Sequence, residues 1–285
     1  MPVLHILQSI WGMDRIRADG QEWTMSERMT MIRAAGFNGF SAHVYPGAGV
    51  ETWIDEARDH GFVIEGNAFP TNVESLRPAL ELAARHRIHH LVIQAYVRPY
   101  NASAAVPYLE GWLRLADEYG VRLCLETHRN TLSNDLWVMR EILDLVPQLP
   151  LLADLSHYVC GQEMNLPITP AQQAMIERIL DHTQAFHGRV ASAEQIQLEL
   201  GFEIHQPWVE QFLRWWQQGF ERWLQRAGAH DSLTFTCELG PPPYAIVDRD
   251  GRCRSNRWDE ALLMRDLVRQ CWERAQLKVN PPVTA

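Results

Sequence analysis

Four residues of types that ligate metals each close a short apolar run: Glu126 in CLETHR (124–129), Asp154 in LLADLSHY (151–158), His187 in QAFHGRV (184–190) and Glu238 in TFTCELGPPPY (234–244). Three carboxylates and one imidazole make a ligand set suited to a divalent cation. Taken singly each is a weak signal, because a lone Glu at a strand end is more often a salt-bridged surface residue and a lone His more often a hydrogen-bonded structural one. Together they are spaced 28, 33 and 51 residues apart. The first two intervals fit one strand-plus-helix unit each, and the third fits one unit plus a long loop. Residues at the carboxyl ends of successive strands of a (β/α) barrel all point at one opening.

The rest of the chain supplies the elements such a barrel needs. Strand-like runs at 3–10, 37–44, 62–69, 90–96, 121–127, 149–157, 184–190 and 232–239 alternate with helical patterns at 25–36, 50–61, 73–86, 104–119, 133–146, 169–182, 208–228 and 258–276. Ser26 is read as a helix cap, Thr169 with Pro170 as a cap and first helical position, and Pro78 as a proline inside a helix. Eight strands alternating with eight helices define an α/β chain and a single (β/α)8 barrel over residues 1–280, with 281–285 as a C-terminal tail. A doubly wound open sheet is the structural alternative, but no glycine fingerprint for a dinucleotide follows the first strand. The helix at 208–228 carries Trp208, Phe212, Trp215, Phe220 and Trp223 near helical spacing. That pattern reads mainly as packing, with a homo-oligomer contact or a cover for the barrel mouth as the alternatives.

Composition narrows the function class. The chain has 285 residues, 46% apolar and 21% charged, which is ordinary for a soluble enzyme with a large core. Its net charge of −9 and lack of a Lys/Arg cluster argue against nucleic acid and anionic membranes as partners. Five scattered cysteines form no CxxC pair and fit reduced thiols in the cytoplasm. The amino terminus does not read as a signal peptide, and no segment has the apolar length to span a bilayer.

LETHR, ADLSHY, the His of AFHGRV and CELGPPPY resemble the xylose-isomerase-like TIM-barrel superfamily, which includes sugar phosphate isomerases and epimerases, tagatose and psicose 3-epimerases, hydroxypyruvate isomerase and inosose dehydratase. The resemblance covers most of the chain and is strongest over 121–244. It implies one divalent ion (Mn, Mg, Co or Zn) held by Glu126, Asp154, His187 and Glu238, with His157 of the D-x-x-H motif on the substrate or on a metal-bound oxygen. It further implies an isomerase or epimerase acting on a sugar or related polyhydroxy carbonyl compound through an enediolate, with Glu126 and Glu238 as the acid/base pair. A metal-dependent dehydratase or lyase of a keto-sugar or keto-inositol uses the same proton abstraction and is the alternative within the superfamily. A non-catalytic sugar-binding barrel is the alternative outside enzymology. The superfamily's distant endonuclease members fit poorly, because they need more metal ligands and a basic groove.

Strand-end placement adds a rim to the site. His43, Glu65, Asn67, His128 and Arg189 are expected to face a small carbohydrate, with Arg189 either on substrate or paired with a metal-binding carboxylate. Tyr158 and Tyr244 are expected to wall the pocket, and the loop 191–206 to act as a lid or a substrate-selecting element. His86, His89 and His90 precede the fourth strand and are read as structural or solvated residues of the opposite face.

Overall fold

Strands and helices alternate along the chain in the computed structural model, which describes residues 1–280 apart from positions 18 and 48. The expected tail at 281–285 lies outside the described residues. The strands are β1 (Val3–Ser9), β2 (Gly39–His43), β3 (Val63–Ala68), β4 (His90–Ile93), β5 (Leu123–Glu126), β6 (Leu151–Ala153), β7 (Thr183–Gly188) and β8 (Ser232–Cys237). All pair in parallel in chain order, and β1 closes onto β8 from Val3–Ser232 to Gln8–Cys237, giving a closed eight-stranded barrel. The helices are α1 (Met25–Ala34), α2 (Val50–Asp59), α3 (Arg77–His86), α4 (Ala102–Tyr119), α5 (Leu136–Leu145), α6 (Ser156–Gly161), α7 (Pro170–His182), α8 (Gln206–Arg226) and α9 (Arg257–Val279). No helix among the described residues is long and apolar enough to cross a membrane.

Side chains alternate across each strand, so one phase packs on the helices and the other fills the barrel. Leu91, Ile93, Leu123, Leu125, Leu151, Ala153 and Phe186 belong to the main helix-facing core, whereas Val92, Cys124, Leu152 and Ala185 form a separate buried cluster. That small cluster is the inner phase of β4–β7. Two residues beyond Cys124, Leu152 and Ala185 come Glu126, Asp154 and His187, in the same phase. In β8, Phe235 and Cys237 pack outward, which leaves Thr234, Thr236 and Glu238 inward. The strand period thus aims all four residues into one space.

Local chemistry accounts for several boundaries. Thr24, not Ser26, caps α1, in a capping box with Glu27. Pro78 lies in the first turn of α3 and not in its interior, because a 3-10 turn at Glu74–Leu76 precedes that helix, and no N–H is needed there. Thr169 and Pro170 start α7 as expected. The sixth strand is shorter than its apolar run, because the chain turns into α6 at Ser156, whose N–H and hydroxyl both bond the Asp154 carboxylate. Phe212, Trp215, Phe220 and Trp223 of α8 are buried within the chain, with Phe220 against Phe186, Phe235 and Trp272, Trp223 against Trp272 and Phe212 against Trp215, so these four are core, while Trp208 is half-buried.

Candidate metal centre at the barrel mouth

One donor atom from each of Glu126, Asp154, His187 and Glu238 lies within 4.8 Å of the others, and all four residues are buried. His187 Nδ1 stands 3.4 Å from Glu126 Oε1 and 3.2 Å from Glu238 Oε2. Both Glu126 carboxylate oxygens, Asp154 Oδ2 and His187 Nδ1 are buried without a hydrogen-bond partner. Buried polar atoms are nearly always partnered, and an unpartnered group costs roughly 1–3 kcal/mol. Orphaned donors of these types, converging from four strands, fit a divalent cation.

The surroundings set the charge of each group. Burial pushes Asp154 up to about 6, with Arg189 opposing and the Glu238 and Glu126 charges adding to the rise. Burial also acts on Glu238, but the His187 and Arg189 cations outweigh it and hold that carboxyl down to about 2. His187 is raised well above the usual imidazole value, because Glu238, Glu65 and Glu126 overcome its burial. His157 is lowered well below it by burial and by the neighbouring His128 and Arg189.

Arg189 is fully buried and belongs to this cluster. Its Nη2 donates to Glu238 Oε2, its Nε donates to the Glu238 carbonyl at 3.1 Å, and its Nη1 lies 3.6 Å from Asp154 Oδ2 and 3.4 Å from His157 Nε2. Of its two expected uses, the ion pair with the carboxylates is the one observed. Gly188 allows the alternation His187-in, Arg189-in: a Cβ there would lie 2.3 Å from the Phe235 ring. A second donor group, Glu126 with His128 and His157, also meets metal-ligand spacing. Its two imidazoles meet at a tilt of 46° with ring centroids 3.8 Å apart, and the Arg189 guanidinium already faces His157, which disfavours another cation there.

Above the cluster lies a cavity of about 390 Å³ lined by Trp11, His43, Trp53, Asn67, Phe69, Gln94, Tyr96, His128, Arg189, Glu238 and Tyr244 among others. Tyr244 lies between two guanidiniums, Arg189 at 4.6 Å and Arg129 at 5.3 Å from its ring centre, and meets Trp11 edge-on. A larger cavity of about 650 Å³ opens at the opposite face between His89, Arg122, His182 and Arg226, away from the converging donors. The chemistry, not the volume, singles out the smaller one.

Three rim expectations are corrected. Glu65 is not on the rim: β3 runs three residues past it, so it is fully buried below the cluster, accepting from His187 Nε2 at 2.8 Å. Tyr158 does not wall the pocket: α6 turns it into the core, where its hydroxyl donates to the Ser133 carbonyl. No residue of 191–206 lines the mouth cavity; the loop instead packs on the segment after β8, where Gln197 both donates to the Gly240 carbonyl and accepts from the Gly240 N–H. His90, read as a structural residue of the opposite face, does line the cavity there, and it is buried with its Nε2 against Glu65. Trp11, Phe69, Gln94 and Tyr96 escaped sequence reasoning, although Trp11 follows the first strand run directly and strand-end logic applies to it.

A family model described as xylose isomerase-like TIM barrel matches residues 29–195, and the chain belongs to that family. Among solved structures, it is similar to a xylose isomerase-like TIM barrel protein from Mycobacterium smegmatis in complex with magnesium (TM-score 0.59, 13% identity, 94% of this chain and 97% of that one). It is also similar to a sugar phosphate isomerase/epimerase from Parabacteroides distasonis (TM-score 0.58, 11% identity, 100% and 96%). A third is the probable 3-DHS dehydratase AsbF from Bacillus anthracis (TM-score 0.55, 12% identity, 93% and 99%). At these identities the likeness is one of fold. No curated protein sequence matches.

Proposed function

We propose that the protein is a divalent-metal-dependent isomerase or epimerase of a small polyhydroxy carbonyl compound, with Glu126, Asp154, His187 and Glu238 holding the metal. The observation that carries this reading is the convergence of four buried residues whose facing donor atoms largely lack hydrogen-bond partners. When bound, the ion supplies Lewis-acid stabilisation of the negative charge that develops on the substrate carbonyl during proton abstraction. Carboxylate-rich ligation favours Mn or Mg, and the imidazole admits Co or Zn.

The side chains divide the remaining work. Glu238 borders the cavity as an ionised carboxylate held by His187 and Arg189, and its position there lets it take the proton next to the carbonyl. Glu126, reaching in from β5 with both oxygens unpartnered, returns a proton from the other side. Arg189 fixes the Glu238 carboxylate, and His157 and His128 offer nitrogens to substrate hydroxyls. His43, Asn67 and Gln94 line the far wall and orient the sugar, while Trp11, Phe69, Tyr96 and Tyr244 supply apolar faces and limit water.

A dehydratase reading begins from the same abstraction and differs in which bond breaks next; the AsbF-like fold keeps it as the second reading. The test is elemental analysis of the purified protein, followed by incubation with a panel of keto- and aldo-sugars in deuterated water. Isomerisation or epimerisation conserves the carbon skeleton and oxygen count with deuterium gained at one carbon, whereas dehydration loses water. A protein that binds no divalent ion and exchanges no proton of any sugar overturns the proposal.

A further inference from the structure

Beneath the four donors, a line of polar contacts runs down the barrel interior. Glu65 Oε1 accepts from His187 Nε2 at 2.8 Å and from the Thr236 hydroxyl at 3.0 Å, and Glu65 Oε2 faces His90 Nε2 at 3.0 Å. His90 Nδ1 then meets His89 Nδ1 at 2.9 Å, and His89 Nε2 meets the Ser232 hydroxyl at 2.9 Å. A carboxylate only accepts, so the three groups turned toward Glu65 must all be donors. That requirement puts a proton on Nε2 of both His187 and His90. With a neutral His90 ring its Nδ1 accepts from His89 Nδ1, and His89 Nε2 accepts from Ser232.

The arrangement is expensive unless it does something. Glu65 is fully buried in the barrel, whose interior in β4–β7 also holds the apolar cluster of Val92, Cys124, Leu152 and Ala185. We infer that Glu65, held by Thr236 and His90, is a positioning residue that presents His187 Nδ1 to the metal. The inference rests on the proposed metal site. Its physical content is that both the nitrogen used and the plane of the ring are set from inside the barrel. The ring's other nitrogen is committed to an anchored carboxylate, and such partners of metal-bound histidines typically change affinity by about 10–100-fold.

Two substitutions test it on the full-length protein, with Co²⁺ as the probe. Glu65→Gln keeps the volume but offers one acceptor oxygen and one amide donor to three donors. Thr236→Val removes one support and keeps the shape, which preserves folding should the first variant fail. Expected is a loss of Co²⁺ affinity by calorimetric titration of about 10–100-fold for Glu65→Gln and several-fold for Thr236→Val, each with a changed visible absorption band of the bound ion. Wild-type affinity and spectrum in both variants, with or without a lowered melting temperature, would show that Glu65 merely fills space and overturns the inference while leaving the metal site standing. Absence of Co²⁺ binding by the wild type would instead overturn the metal site itself, and the inference with it.

Discussion

The two halves of the barrel mouth are built from different chemistry. Strands β5–β8 end in Glu126, Asp154, His187 and Glu238, all buried, with facing donors largely without hydrogen-bond partners. Strands β1–β4 and the segments after them end in Trp11, His43, Asn67, Phe69 and Tyr96, which border the cavity with aromatic faces and neutral polar groups. The charged half is also the constrained half. His187 is braced from below by Glu65, Glu238 from the side by Arg189, and Asp154 by Ser156. The aromatic half makes mostly ring contacts, such as His43 edge-on to Phe69 at 4.9 Å. Rigid polar anchoring suits groups that must hold an ion and move a proton. Ring walls suit recognition of a substrate whose shape varies from one enzyme to another.

Substitutions on the two halves should therefore separate in kinetics. The largest effect belongs to Glu238→Gln or Glu126→Gln, each expected to lower kcat by about 10²–10⁴-fold and to weaken metal binding, measured by steady-state assay and metal titration. A fully active, metal-independent Glu238→Gln enzyme would break the division. Next comes metal removal. At a free concentration of about 100 times Kd the ion adds roughly 2.7 kcal/mol, so chelation should lower the melting temperature by about 4–5 °C in a calorimetric scan.

The pH dependence of metal binding follows from the raised values of His187 and Asp154. In the metal-free site His187 holds a proton well above the usual imidazole range, and the ion must displace it. Affinity should fall about tenfold per unit as pH drops below that raised value, and more steeply below about 6, where Asp154 is protonated too. A pH-independent Kd between 5 and 8, as about three units of titration, would contradict this charge assignment. The smallest effect lies on the other half. Trp11→Ala or Tyr96→Ala should raise KM by about 3–10-fold with kcat nearly unchanged, the size of one lost aromatic contact. A selective collapse of kcat would instead place those rings in the chemistry.

The charged half was legible in the chain because the signal repeats: a ligand-type residue closes each of four apolar runs, and a period of two carries it inward. The fold was legible for the same reason, through eight strand-like runs alternating with helical ones. What failed to show was depth. Glu65 lies in a run that reads as strand to residue 69, and nothing local tells the third residue of a strand from its last. Tyr158 looked like a wall because its apolar run hides a turn made by Ser156 on Asp154, a bond between side chain and backbone rather than a pattern. The loop 191–206 has the length of a lid, but its Gln197 is fastened to Gly240, a contact 43 residues away. The aromatic wall was hidden because an aromatic residue beyond a strand looks the same whether it faces a cavity or a helix.

The seam between β1 and β8 sets a schedule for the protein's making. Glu238 follows a strand whose one neighbour is β7 and whose other is the first strand of the chain, residue Val3 against Ser232 and Gln8 against Cys237. During synthesis β1 keeps one edge unpaired until β8, 229 residues further along from Val3 to Ser232, has been made. Only then does the fourth donor join the other three. An ion encountered earlier finds at most an incomplete set, so stable loading belongs to the finished molecule rather than to the growing one.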